Sequence, residues 1–400
     1  MVGLSLFLVL VIGLTVWLTQ HEATYHAPLD RRPPPHADPT AAARLLTRLQ
    51  SAVRHREVTA GGTLGSSDSA VAVLRGVVRN AGALHVADFS LRYVDEAGAV
   101  SPSGAWAADV ATTWRFAGFD RRTERLEVHV RFAPDGSHLG IAGIGGGDRR
   151  SPLWLSGSLQ VRRSARSLVL VAGSAARADR FAALARRAVP QVRRVLPAWR
   201  GGLVVEVPAS QDGLDAALDA HRGDYAGIAA VTTTVDGSRS RASPSHVFVN
   251  PEVFDPLEPR GAQVVITHET THVATDAATS TAPTWLVEGF ADYVALSAQR
   301  LPLSTSASRI IALVGRDGVP RGLPTQAEFA PGSPHLEARY ESAWLACRLL
   351  AADGGVNALV RFYRAMDAGG SLGPELVRSF GFGPATFVRQ WRGVLQHLPA

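Results

Sequence analysis

The chain is 400 residues long, with 46% hydrophobic and 19% charged residues, a composition that packs a core and excludes a wholly disordered chain. Its 38 glycines and 24 prolines are too few for a collagen-like or low-complexity protein, and the single cysteine, Cys347, excludes an intrachain disulfide framework and any multi-cysteine metal site. All 41 basic residues are arginine, against 35 acidic ones, for a net charge of +6; they fall in scattered pairs such as Arg121–Arg122 and Arg193–Arg194, so no nucleic-acid partner is expected.

Val2 to Leu18 is uncharged and apolar all round. As a helix it would rise about 25 Å, the short end of a membrane span. Residues 1–20 therefore read as a single-pass anchor that meets membrane lipid through residues 2–18. A cleaved signal peptide is the alternative, although no small-x-small site follows. Residues 21–40 are a Pro-rich linker, stiffened by Pro33–Pro35. Arg31 and Arg32 follow the span and none precedes it, which favours a cytoplasmic C-terminal side. The pair lies thirteen residues beyond Leu18, near the edge of the window in which such charges act. The expectation is a cell-membrane protein with residues 41–400 outside the cytoplasm.

Residues 41–165 read as an α+β module. Thr40 can cap a helix with Leu45, Leu46, Leu49 and Val53 on one stripe. From about Val71 the period becomes two, with strands expected over Val71–Val78, Leu84–Val94 and Leu153–Val161. A long hairpin joins Thr112, Trp114 and Phe116 to Leu126, Val128, Val130 and Phe132. One helix followed by a curved antiparallel sheet resembles the NTF2-like and cystatin-like modules in architecture. His85, His129 and His138 read as strand or loop residues, not ligands.

Residues 166–400 read as a second α+β unit. Leu168–Val171 and Leu203–Val207 are expected strands, separated by a helix over Ala175–Leu196 and followed by a short helix from Ser210. Tyr225–Val235 and His246–Asn250 are further expected strands. From Gly261 onward the chain is mainly helical.

The chemistry concentrates in this half. His268, Glu269 and His272 form H-E-x-x-H, which on a helix sets two imidazoles on one face about 6 Å apart. Two such imidazoles can share a zinc ion, and Glu269 beside them can take a proton from water. Glu288 follows His272 by sixteen residues, on a second helix past the polar turn Asp276–Ala282, and would supply a third ligand. Asp292, four residues further on, can hold a ligating histidine in one tautomer. A metzincin is excluded by Thr275 and Ala278, where that class needs Gly and His. A buried helix with two packed histidines is the bland alternative, and it leaves Glu269 and Glu288 without a reason.

H-E-T-T-H followed by W-L-x-E-G-x-A-D-Y resembles the gluzincin metallopeptidases, the thermolysin-like clan, and within it the bacterial peptidase MA-like group. The motif core covers about 30 residues, and a looser likeness reaches the C-terminus. The resemblance implies a mostly helical thermolysin-like domain, a zinc ion on His268, His272 and Glu288, and peptide or protein substrates. It also implies a later-helix donor to the oxyanion. Tyr340 is the candidate, unless it merely packs with Trp344, and His246 and His335 are the other choices. Ser245–Asn250 would be the edge strand along which substrates extend. The expected function is a membrane-anchored zinc peptidase. A catalytically silent peptidase-fold scaffold and a cell-envelope interaction protein working through the sheet module are the alternatives.

Overall fold

The computed structural model describes residues 35–299, 301–330 and 332–399. The expected anchor at 1–20 and most of the linker at 21–40 lie outside the described residues. Helix α1 (Pro39–His55) is capped by Asp38, not Thr40: its carboxylate accepts from the Ala41 amide at 2.8 Å, and Pro39 sits where a missing N–H costs nothing. Its stripe of Leu45, Leu46, Leu49 and Val53 is buried. Helix α2 (Val58–Gly62) follows.

The strand expected over Val71–Val78 is instead the middle of α3 (Asp68–Leu84), capped by the Ser67 hydroxyl. The local Val-Ala-Val alternation imitates period two. The buried set of Ala70, Leu74, Val77, Val78 and Ala81 has the helical spacing, and packing decides between them. Three helices, where one was expected, thus precede the first sheet. His85 closes α3 in the left-handed region (φ 54°), so the next strand starts later than expected.

Strands β1 (Val86–Ala97), β2 (Trp106–Phe116), β3 (Glu124–Asp135) and β4 (His138–Ile144) form an antiparallel meander in that order. The expected hairpin is β2–β3, with Thr112 opposite Leu126 and one face buried through Trp114, Phe116, Val128, Val130 and Phe132. The run Leu153–Val161 divides into a 3₁₀ turn (Leu153–Leu155) and β5 (Gln160–Arg163). His129 is half-buried on β3 beside Asp109, 2.8 Å away.

The second sheet comprises β5, β6 (Ser167–Val171), β7 (Leu203–Val207), β8 (Ala230–Thr234) and β9 (Ser245–Val249), in the order β5-β6-β7-β9-β8. The inner strands β6, β7 and β9 are parallel, and β5 and β8 flank them antiparallel. The strand expected to form the edge, β9, is therefore internal, and β8 is the edge. Between strands run α4 (Ala175–Val195) and α5 (Gln211–Leu218). Leu168, Leu170, Val204 and Val235 share one buried cluster with Trp114, Val128 and Trp154, so the two sheets are joined by a common core. Residues Ala37–Ala400 form one compact unit.

The remainder is helical: α6 (Pro251–Phe254), α7 (Pro259–Ala274), α8 (Thr284–Ser297), α9 (Leu303–Ser306), α10 (Ser308–Asp317), α11 (Leu336–Asp367), α12 (Leu372–Phe380) and α13 (Pro384–Gln396). Trp285, Phe290, Phe362, Phe387 and Trp391 centre its core. The fold is thus mixed helix and sheet, of the α+β class. Helix α11 is long and apolar enough to cross a membrane, but half of its apolar stretch is buried in this core and it breaks at Gly355 (φ 78°).

Candidate metal centre

Helix α7 carries H-E-T-T-H through the middle of the fold. Its threonines can be buried because each hydroxyl returns to a carbonyl one turn back: Thr270 to Ile266 at 2.6 Å and Thr271 to Thr267 at 2.9 Å. The chain then reverses through Asp276, which is left-handed (φ 52°), and a 3₁₀ turn (Ala277–Thr279). Helix α8 returns against α7. A Cβ on Gly289 would run into the Ala343 carbonyl, so this glycine is what lets α8 lie directly on α11.

The result brings His268, His272 and Glu288 together. One ligand atom from each falls within 4.8 Å of the others, so the group can hold a metal ion. Glu288 Oε2 lies 3.2 Å from His268 Nε2 and 3.3 Å from His272 Nε2. Asp292 Oδ1 lies 2.7 Å from His268 Nδ1, so that Nε2, on the Glu288 side, is the nitrogen left to meet a metal. His272 Nδ1 is buried with no partner among the described residues. The fit to a cation is also electrostatic. Glu269, Glu288 and Asp292 crowd a largely buried space together with the two imidazoles, and a divalent cation would balance three carboxylates there.

The same crowding perturbs protonation. Burial alone would lower the His268 pKa, but the charge and hydrogen bond of Asp292, with Glu288 behind, raise it well above the ordinary value. Burial likewise opposes ionisation of Glu288, yet the adjacent His272 and His268 hold its pKa low. Glu269 is raised by burial, against the pull of both histidines and of Thr232. Tyr340 is raised by burial and by the charges of Glu288, Asp292 and Glu269, so its phenol keeps its proton at neutral pH.

Tyr340 lies on the first turns of α11, its ring 6.3 Å from that of His268 and edge-on to Phe329 at 5.2 Å. The two other donor candidates fall elsewhere. His335 is exposed at the start of α11, against Arg316. His246 is locked inside the molecule, with Nδ1 2.7 Å from Glu206 on β7 and Nε2 3.0 Å from Asp120 at the β2–β3 turn. It stacks on Phe116. Burial would lower its pKa, but Asp120 and Glu206 push it up to about 10, so it is a buried cation clamped between two carboxylates.

One site residue left no sequence signal. Thr232 on edge strand β8 donates its hydroxyl to Glu269 Oε2 at 2.6 Å and lies 3.2 Å from the Glu269 carbonyl oxygen. The two are 37 positions apart, and no motif joins them; only the placement of β8 beside α7 does. The class these features define is a mixed α+β protein with a largely buried His–His–Glu group that could hold a metal ion and an adjacent carboxylate held by an edge-strand hydroxyl. The chain matches no protein-family model and no curated protein.

Proposed function

We propose that the chain is a zinc-dependent gluzincin peptidase, thermolysin-like over residues 166–400. On this reading residues 41–165 are an appended module of NTF2-like or cystatin-like type. Residues 1–20 anchor the protein in the cell membrane, with the peptidase outside the cytoplasm. The observation that carries the reading is the convergence of His268, His272 and Glu288 within 4.8 Å, with Asp292 on His268 and Glu269 alongside.

Two imidazoles and one carboxylate are the donor set of catalytic zinc sites that keep a position open. Zinc bound there supplies a Lewis acid toward water and a scissile carbonyl. Glu269 takes the proton from the attacking water and hands it to the leaving amine. Thr232 fixes the direction of that carboxylate, and Asp292 fixes the His268 tautomer. Tyr340, protonated, donates to the developing oxyanion, a contribution worth about 2.7–4 kcal/mol in comparable sites. Strand β8 offers the unpaired rim of the sheet beside Glu269, where an extended peptide would pair.

The test is metal analysis of the purified full chain together with cleavage of a peptide library. The expected result is about one zinc per chain and hydrolysis. Glu269→Gln should keep the metal and lose about 10²–10⁴-fold in rate or more. Metal without cleavage would favour the silent scaffold, and a folded chain that takes no metal would end the proposal. Protease treatment of intact spheroplasts checks the topology: degradation of residues 41–400 only after lysis would place them in the cytoplasm.

A further inference from the structure

Helix α4 presents arginines on two faces. Arg187 turns toward α7 and donates Nε to Gln263 Oε1 at 2.7 Å. Arg186, Arg193 and Arg194 line an open cavity of about 590 Å³, bordered also by Arg166 in the β5–β6 turn. No carboxylate and no imidazole borders it.

The arginines nearby are matched with acids: Arg162 with Asp179, and Arg177 and Arg180 with Asp255. Among the described residues none of the four arginines of the cavity has a carboxylate within 4.0 Å, although Asp179, paired with Arg162, acts on Arg186 from farther away. Arg166 is held in place by donating Nη1 to the Arg200 carbonyl at 3.0 Å. Arg193 Nε is buried and finds no acceptor among the described residues. Four like charges facing one space repel one another, and an anion that fills the space removes that cost.

The chemistry of the anion follows from the wall. Each guanidinium offers a planar fork matched to two oxygens of one acid group. A single carboxylate would leave most of the positive charge unmet, whereas a phosphate group brings more than one negative charge and several acceptor oxygens. Val189, Pro190 and Pro197 supply an apolar floor for an organic body attached to it. We propose that this cavity binds a phosphate-bearing anion, either a phospholipid headgroup or a soluble phosphate ester, independently of the metal centre.

Calorimetry of the full chain in a neutral detergent, titrated with inorganic pyrophosphate, tests this directly. One saturable site is expected. The double variant Arg186→Gln with Arg193→Gln should bind about tenfold or more weakly, the factor carried by a charge-assisted pair. Arg361→Gln, an exposed arginine outside the cavity, should bind as wild type. If the double variant melts lower than wild type, Arg186→Gln alone, at an exposed position, replaces it. Loss of the pyrophosphate heat in phosphatidylglycerol micelles, but not in phosphatidylcholine ones, identifies a lipid headgroup; heat retained in both identifies a soluble ester. Absence of saturable binding, or equal affinity in a folded variant, overturns the proposal.

Discussion

Asp292 touches no substrate on the proposed mechanism and supplies no metal ligand, so replacing it isolates the support given to His268. Its Oδ1 sits 2.7 Å from His268 Nδ1, and its side chain is 17% exposed, so solvent replaces little of what is removed. Asp292→Ala frees the His268 proton to move to Nε2, where it blocks ligation, and removes a negative charge that makes the imidazole a stronger donor. Carboxylate partners of ligating histidines carry about 10–100-fold in metal affinity. At about 1.4 kcal/mol per decade, that is about 1.4–2.7 kcal/mol. Asp292→Asn keeps an acceptor for the Nδ1 proton and loses only the charge, so it should fall near the tenfold end. Zinc dissociation constants from competition with a fluorescent chelator at pH 7.5, with melting curves of the metal-free proteins as the folding control, measure the difference. An Asp292→Ala protein that folds and binds zinc as tightly as wild type would refute the argument.

Thr232→Val removes the hydroxyl from Glu269 with little change in volume; turnover should fall about tenfold or more with zinc content unchanged, and Thr232→Ser should restore it. Equal turnover in the valine variant would leave Thr232 with a structural role only. His246 gives a pH prediction. Its folded pKa of about 10 lies above the reference 6.5, so its stabilisation is complete below about 6.5 and is lost as pH rises through about 10. Urea midpoints of the wild type should therefore decline across that interval. His246→Gln should flatten the decline while costing about 3–5 kcal/mol, because Asp120 and Glu206 then stay buried without a counter-charge. A wild-type midpoint that does not move between pH 7 and 10 would show that His246 is not the charged member of the cluster.

The sequence by itself determined what is local. Helical periodicity alone sets His268 and His272 on one face of α7, and Glu288 and Asp292 on one face of α8, because positions four apart are neighbours on any helix whatever surrounds it. The alternation of Thr112–Phe116 and Leu126–Phe132 likewise determined which side of the β2–β3 hairpin is buried. Where two periods fit the same residues, as in Val71–Val78, local pattern was not enough, and packing of Leu74, Val77 and Val78 into the shared core made a helix. Strand order lay beyond the sequence altogether. A strand's neighbours depend on how the chain crosses over, and the β7-β9-β8 order puts β9 inside the sheet and β8 at its edge. From that topological fact follow the Thr232 hydroxyl on Glu269 and the Glu206–His246 contact, while Asp120 reaches His246 only because the β2–β3 turn of the first sheet packs there; these join residues 37, 40 and 126 positions apart, which no spacing rule encodes.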